Sequence, residues 1–221
     1  MTGPLAANER ADRPMGTADG YLAEDDVLAS ARARGDAAGA TPVTSGVGAA
    51  LAFLAATTSA KAVVEIGTGA GVSGLWLLRG MSGDGTLTSI DVDPELQRAA
   101  RRSFLDAGYG PSRLRLINGM ALEVLPRLTD GGYDLVFVDA VPTEYPRYLE
   151  EAVRLIRPGG VVVLEGVLAD PGIDRAGHDG HERADIAAAA LQEVADLARD
   201  DERLVAALLP LGQGLLCATR V

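Results

Sequence analysis

Apolar positions along this chain gather into short continuous runs after Lys61, and the stretches between those runs repeat their apolar positions every three or four residues. Short apolar runs bounded by turn residues read as buried strands, and the longer periodic stretches read as helices. The strands are then Ala62 to Ile66, Thr86 to Asp91, Leu114 to Asn118, Tyr133 to Asp139 and Gly160 to Glu165. The helices are Val72 to Gly80, Pro94 to Ala107, Ala121 to Leu128 and Tyr145 to Ile156. Asp93 before Pro94 supplies an N-cap and a first-turn proline, and Arg157-Pro158-Gly159-Gly160 supplies a stop and turn. Strands that alternate with helices predict a doubly wound α/β fold, its mostly parallel sheet covered on both faces. At the end of the chain, Leu204 to Leu209 and Leu215 to Thr219 flank Pro210-Leu211-Gly212-Gln213-Gly214 and predict an antiparallel hairpin. This brings the sheet to seven strands.

Before the first strand the pattern predicts a short amphipathic helix or two within Tyr21 to Ala38 and a further helix from Gly46 to Thr57. Met1 to Asp19 lacks apolar periodicity and is rich in Ala, Gly, Pro and charge, which predicts a mobile extension over residues 1–20. Residues 21–221 then form a single domain, with N-terminal helices over 21–60 and the alternating core over 61–221. After Gly166 the segment Ala169 to His181 is polar and carries glycines, so it reads as a loop, with a helix following from Ile186 to Arg199.

Composition narrows the partners. The chain has 221 residues, 48% of them hydrophobic, enough for one sizeable core. A net charge of −11 with no Lys/Arg-rich block argues against nucleic acid and against an anionic membrane surface, leaving a small molecule as the expected partner. No apolar run reaches the roughly 18 residues of a membrane span, and the N-terminal stretch has no leader-like apolar core. The single cysteine, Cys217, excludes an internal disulfide, which fits a cytoplasmic protein. Cys217 in a strand and Trp76 in a helix both read as core.

The candidate chemistry begins at Val63-Val64-Glu65-Ile66-Gly67-Thr68-Gly69-Ala70-Gly71. Glycines on alternate positions after a strand let backbone N–H groups approach a ligand, and the next helix points its positive end at the same place. Asp91 closes the second strand twenty-four positions after Gly67, a spacing that suits a carboxylate on ribose hydroxyls. Dinucleotide oxidoreductases and S-adenosylmethionine enzymes share these features. The dinucleotide fingerprint wants G-x-G-x-x-G, whereas this turn runs Gly67-x-Gly69-x-Gly71 behind Glu65. A carboxylate at the strand tip repels a pyrophosphate and attracts an ammonium, so the turn favours the methionine moiety, as does the terminal hairpin.

Across Thr41 to Val221 the chain resembles the catechol and caffeoyl-CoA type O-methyltransferases, as a divergent, actinobacterial-type member. The segments carrying the likeness are Val64 to Leu77, Ile90-Asp91-Val92-Asp93-Pro94-Glu95, Asp134 to Ala140, Tyr145 to Leu149, Leu155 to Gly160, and Leu209 to Leu215. The resemblance implies a Rossmann-like sheet and S-adenosyl-L-methionine as donor. Around the donor it places Val43, Glu65, Gly67, Thr68, Gly69, Ser73, Asp91, Val92, Ala121 and Asp139, and it further implies a homodimer.

The acceptor side departs from the family. Most members of it bind a divalent cation through an Asp at the fourth strand and an Asp-Asn pair at the end of the fifth, with a lysine three positions past the first ligand. Here Asp139 keeps the first position, but the lysine is Pro142, its preceding acid is Val141, and the pair is Glu165-Gly166. Glycine offers no side-chain ligand and proline no base, so the expectation is methyl transfer without a metal. Asp139 and Glu165, at strand tips, are the first candidates for catalysis, ahead of His178 and His181, which read as solvated loop residues. Two alternatives stay open: a catalytically idle or regulatory S-adenosylmethionine-binding homologue, and an NAD-dependent dehydrogenase.

Overall fold

The computed structural model describes residues 19–169 and 178–221, and within these every predicted strand is present. Helices α1 (Asp26–Ala37) and α2 (Ser45–Thr57) precede the core of β1 (Ala62–Ile66), α3 (Val72–Gly80), β2 (Thr86–Asp91), α4 (Pro94–Asp106) and β3 (Leu114–Asn118). The second half holds α5 (Ala121–Val124), β4 (Tyr133–Val138), α6 (Tyr145–Leu155), β5 (Ile156–Leu164), α7 (His178–Asp200), β6 (Leu204–Leu209) and β7 (Leu215–Arg220). Residues 1–18, most of the expected mobile extension, lie outside the described residues.

The seven strands run in the order β3-β2-β1-β4-β5-β7-β6, with β7 antiparallel to both β5 and β6. β1 to β5 pair in parallel, so the chain winds outward from β1 to β3, returns to β4, and winds out the other way. Alternate side chains of each central strand enter opposite cores. Val64, Ile66, Val136, Val138, Val162 and Leu164 pack beneath α5, α6 and α7. Val63, Leu135, Phe137, Val161 and Val163 pack beneath α1 to α4, against Leu28, Leu51, Leu75 and Phe104. Because both faces are covered, these strands are apolar without alternation. Since α1 and α2 share one of those cores, they join the sheet as one packed unit.

Three boundaries differ from the sequence reading by more than one residue, each for a local reason. β5 starts at Ile156, before the expected turn: Tyr133 pairs with Ile156 and Leu135 with Val161, so Arg157 to Gly160 bulge out of a continuing ladder. Pro158 has no N–H to give that ladder and Gly159 takes a φ of +76°, which is why the sequence reads as a stop. α5 ends at Val124 and continues as one 3-10 turn, Leu125–Arg127, because Pro126 cannot supply the next helical hydrogen bond. α7 begins at His178 rather than Ile186, within the segment read as a loop. Its buried stripe, Ala190, Leu191, Val194 and Ala198, extends back to Ala184, and the charged residues around Ala184 hid that period from view.

Candidate active site

The site is built where the winding reverses, at the carboxyl ends of β1 and β4. Asp139 N donates to Ile66 O at 2.9 Å, Gly67 N to Ile90 O at 2.9 Å and Glu165 N to Val138 O at 2.9 Å. The first residues past β1, β4 and β5 are therefore stitched side by side, with Asp91 closing β2 next to them. Gly67 shows how close the chains come, since a Cβ there would lie 1.8 Å from Asp139 O, and its φ is +93°. No other residue type fits that position. Gly69 and Gly71 also take positive φ, and Gly71 starts α3 with no side chain capping its first N–H groups. Val72 and Ser73, the first residues of α3, line the cavity.

That cavity holds about 290 Å³ and is lined by Thr41, Pro42, Val43, Gly67, Thr68, Gly69, Ser73, Asp91 and Asp139. Arg32 of α1 holds its outer wall, donating to Val43 O at 2.8 Å while paired with Glu24. A second cavity of about 560 Å³ shares Gly67, Asp91 and Asp139 and adds Val92, Met120, Ala121, Val141, Pro142 and Tyr148. Val92 is 65% exposed and Met120 53%, so this arm offers open apolar surface beside the acid of β2. A larger groove of about 970 Å³ runs between α6 and α7, but it contains no strand tip and none of the candidate residues.

Asp91 and Glu65 are both fully engaged, in different ways. Asp91 Oδ2 accepts from Thr68 N at 2.9 Å and Gly69 N at 3.0 Å, and Oδ1 accepts from Asp93 N at 2.9 Å. It fixes the glycine turn and still presents lone pairs to the cavity it lines. Glu65 is wholly buried and lines neither cavity. Its oxygens accept from Ser73 Oγ at 2.7 Å and Ser89 Oγ at 2.5 Å, and Ser89 in turn meets Thr68 Oγ1 at 2.7 Å. Burial pushes Glu65 up to about 7, while the two serine hydroxyls pull it back. Glu65 therefore braces α3 against β2 beneath the glycine turn. Ser89 escaped the sequence reading, although a hydroxyl inside an apolar strand beside a buried acid was its signal.

Asp139 and Glu165 are neighbours past β4 and β5, but of the two only Asp139 lines the cavities, and Glu165 lines neither. Asp139 lines both cavities, and no hydrogen bond from any described residue reaches its carboxylate. Enclosure by protein, and secondarily the neighbouring Glu165 charge, raise it to about 7. Glu165 is 8% exposed, Oε1 accepts from Gln213 N at 3.0 Å in the β6–β7 turn, and Oε2 is buried without a partner. Burial raises it also. His178 and His181 fall in the first turn of α7, and their side chains lie outside the described residues.

Among the described residues these strand tips offer a divalent cation few side-chain ligands. Glu165 already gives one oxygen to the backbone, Gly166 has no side chain, and Pro142 begins a 3-10 turn, Pro142–Glu144. No group of three or more His, Cys, Asp or Glu side chains among the described residues could hold a metal ion, and a hard cation wants about six oxygens.

A seven-stranded doubly wound sheet with a reversed β7, a glycine turn after β1 and an acid closing β2 defines a Rossmann-like methyltransferase. The family model described as O-methyltransferase matches residues 29–221, and the chain belongs to that family. A Mycobacterium tuberculosis protein named "Probable O-methyltransferase" is 51% identical over 214 residues, covering 97% of this chain and 93% of its own. Among solved structures, a Corynebacterium glutamicum protein is 32% identical with a TM-score of 0.79, covering 91% of this chain and 92% of its own. The O-methyltransferase TomG from Streptomyces achromogenes, which is involved in tomaymycin synthesis and was solved in complex with S-adenosylmethionine, is 26% identical. Its TM-score is 0.78, over 91% of this chain and 92% of that one.

Proposed function

We propose that this chain takes S-adenosylmethionine across the two joined cavities and transfers its methyl group to an oxygen of a small hydroxylated acceptor, with no divalent cation required. The observation that carries the donor reading is Asp91, set where the two cavities meet and held by the backbone of the glycine turn. A ribose there would receive the carboxylate, the adenine would lie on Val92, Met120 and Ala121, and the methionine would lie under Val43, Thr68 and Ser73. Gly67, Gly69 and the uncapped start of α3 supply backbone donors.

The sulfonium is already activated, so transfer needs an in-line approach and an acceptor oxygen that loses its proton. The O–CH3 bond forms as the S–CH3 bond breaks, and the proton passes to a base. Asp139 suits that role, since its carboxylate has no competing donor among the described residues and sits near neutrality. Glu165 beside it orients the acceptor. The homodimer implied by the resemblance, a cytoplasmic location and action of residues 21–221 as one domain belong to the same proposal.

Calorimetry with S-adenosylhomocysteine tests the donor, and transfer of a labelled methyl group to a panel of hydroxylated aromatics tests the reaction. Tight binding of NAD in place of S-adenosylhomocysteine would overturn both. Pro142 and Gly166 favour one second reading, an idle homologue that retains the donor cradle; donor binding without turnover on any acceptor would establish it.

A further inference from the structure

Beyond the donor reading, on which this inference rests, the arm that holds Val92 and Met120 carries a hydrogen-bonding pair of its own. Its walls bring the ends of β2 and β3 against the turn after β4 and the start of α6, where Glu144 and Tyr148 line it together. Glu144 occupies the N-cap position of α6, yet its side chain caps no N–H of that helix. Instead Glu144 Oε2 accepts from the hydroxyl of Tyr148, one turn further along. Tyr148 is 3% exposed, and burial followed by the Glu144 carboxylate holds its hydroxyl above the ordinary range, so it stays a donor. Among the described residues no lysine or arginine pairs with Glu144, and no group donates to its Oε1.

Three side-chain carboxylates line this arm. Asp91 and Asp139 also line the smaller cavity, whereas Glu144 belongs to the arm alone. With the ribose at Asp91, the arm is left to the purine, whose N–H donors are those of its 6-amino group. Val92, Met120, Ala121 and Val141 give apolar surface to the purine faces, and the amino group then needs an acceptor. We propose that Glu144, aimed by Tyr148, accepts a hydrogen bond from the adenine 6-amino group and makes the donor site selective for an aminopurine. A carboxylate acceptor makes this bond charge-assisted, and Tyr148 acts as a positioning residue that fixes its geometry before the donor arrives.

Calorimetry tests this by comparing S-adenosylhomocysteine with its analogue that bears hydrogen in place of the 6-amino group. The unsubstituted protein binds the amino form about ten- to a hundredfold tighter, as one charged hydrogen bond predicts. Glu144→Ala brings the two ligands to within about threefold by weakening the amino form alone, and Glu144→Gln, which keeps a neutral acceptor, leaves an intermediate preference. Tyr148→Phe narrows the gap by about threefold, because the carboxylate loses its hold. A purely structural role for the pair lowers both affinities together and leaves their ratio unchanged, which overturns adenine readout by Glu144. So does a preference that survives Glu144→Ala, or equal affinities in the unsubstituted protein. Should Glu144→Ala lose cooperative thermal unfolding, the near-isosteric Glu144→Gln decides, with an unchanged ratio again the overturning result. Binding of S-adenosylhomocysteine without discrimination at the amino group removes only the role of Glu144, whereas failure to bind it removes the donor reading and this one with it.

Discussion

Two pairs of acids stand at and behind the tips of the central strands, and the pairs are treated oppositely. Glu65 and Asp91, on the donor side, accept hydrogen bonds on all four oxygens from Ser73, Ser89, Thr68, Gly69 and Asp93. Asp139 and Glu165, on the acceptor side, accept one between them from the described residues. A satisfied carboxylate holds its neighbours in one arrangement before any ligand arrives. An unsatisfied one is poised to take something up. The glycine-turn side is thus a preformed frame, and the tips of β4 and β5 keep bonding capacity that the described residues do not use.

The strongest way to break the contrast is to separate the halves where they touch. Gly67→Ala puts a Cβ 1.8 Å from Asp139 O at a φ of +93°. It should cost about 3 kcal/mol or more of stability, through strain and overpacking at one backbone contact, and abolish S-adenosylhomocysteine binding. Thermal unfolding and calorimetry check both. Next in size is Asp91→Ala, which removes three backbone-accepting contacts and the ribose acceptor. Donor affinity should fall by about 1 to 3 kcal/mol. Unchanged affinity would place the ribose elsewhere.

A pH titration sharpens the comparison from the acceptor side. Glu65 and Asp139 both have folded values raised to about 7, so the native protein holds protons that the unfolded chain has released above the ordinary carboxylate range. Their contribution to stability is complete at low pH and is lost as pH rises through about 7. Asp139→Asn should remove its share of that fall, visible as a flatter dependence of the unfolding midpoint between mildly acidic and mildly alkaline buffer. As a base, Asp139 must lose its proton, so turnover should climb with pH through the same region. Glu165→Gln takes away a neighbouring negative charge and should move that climb to lower pH; an unmoved climb would show that the two carboxylates do not sense each other.

How much of this was legible beforehand follows the same division. The strands and the turn from Gly67 to Gly71 were legible because local chemistry dictates them: an apolar run buried on both faces, then glycines where only positive φ fits. Asp93 before Pro94 likewise announced α4, and its side chain caps Glu95 N and Leu96 N. Asp139 and Glu165 were legible only as strand tips, since nothing local says whether an acid will find a donor. Glu65 shows the limit most clearly. Its direction depends on Ser89, a residue of the neighbouring strand, and no spacing along the chain records that pairing. The start of α7 was hidden for a related reason, because Ala184 is buried by contacts made elsewhere and sits among charged residues.

The smallest expected effect is the most discriminating for the acceptor half. With Glu165 Oε1 given to Gln213 N, Gly166 bare and Pro142 in place of a lysine, removing divalent ions should change turnover by no more than about twofold, because two carboxylates leave a hard cation largely to water. The comparison is turnover in EDTA against turnover in magnesium, with the substrate panel held constant. A loss of about tenfold or more, restored by magnesium, would mean that Asp139 and Glu165 converge on an ion and that the unpartnered Oε2 belongs to it. Insensitivity to EDTA together with sensitivity to Glu165→Gln would instead give that oxygen to the acceptor, and the two measurements on one sample separate these assignments.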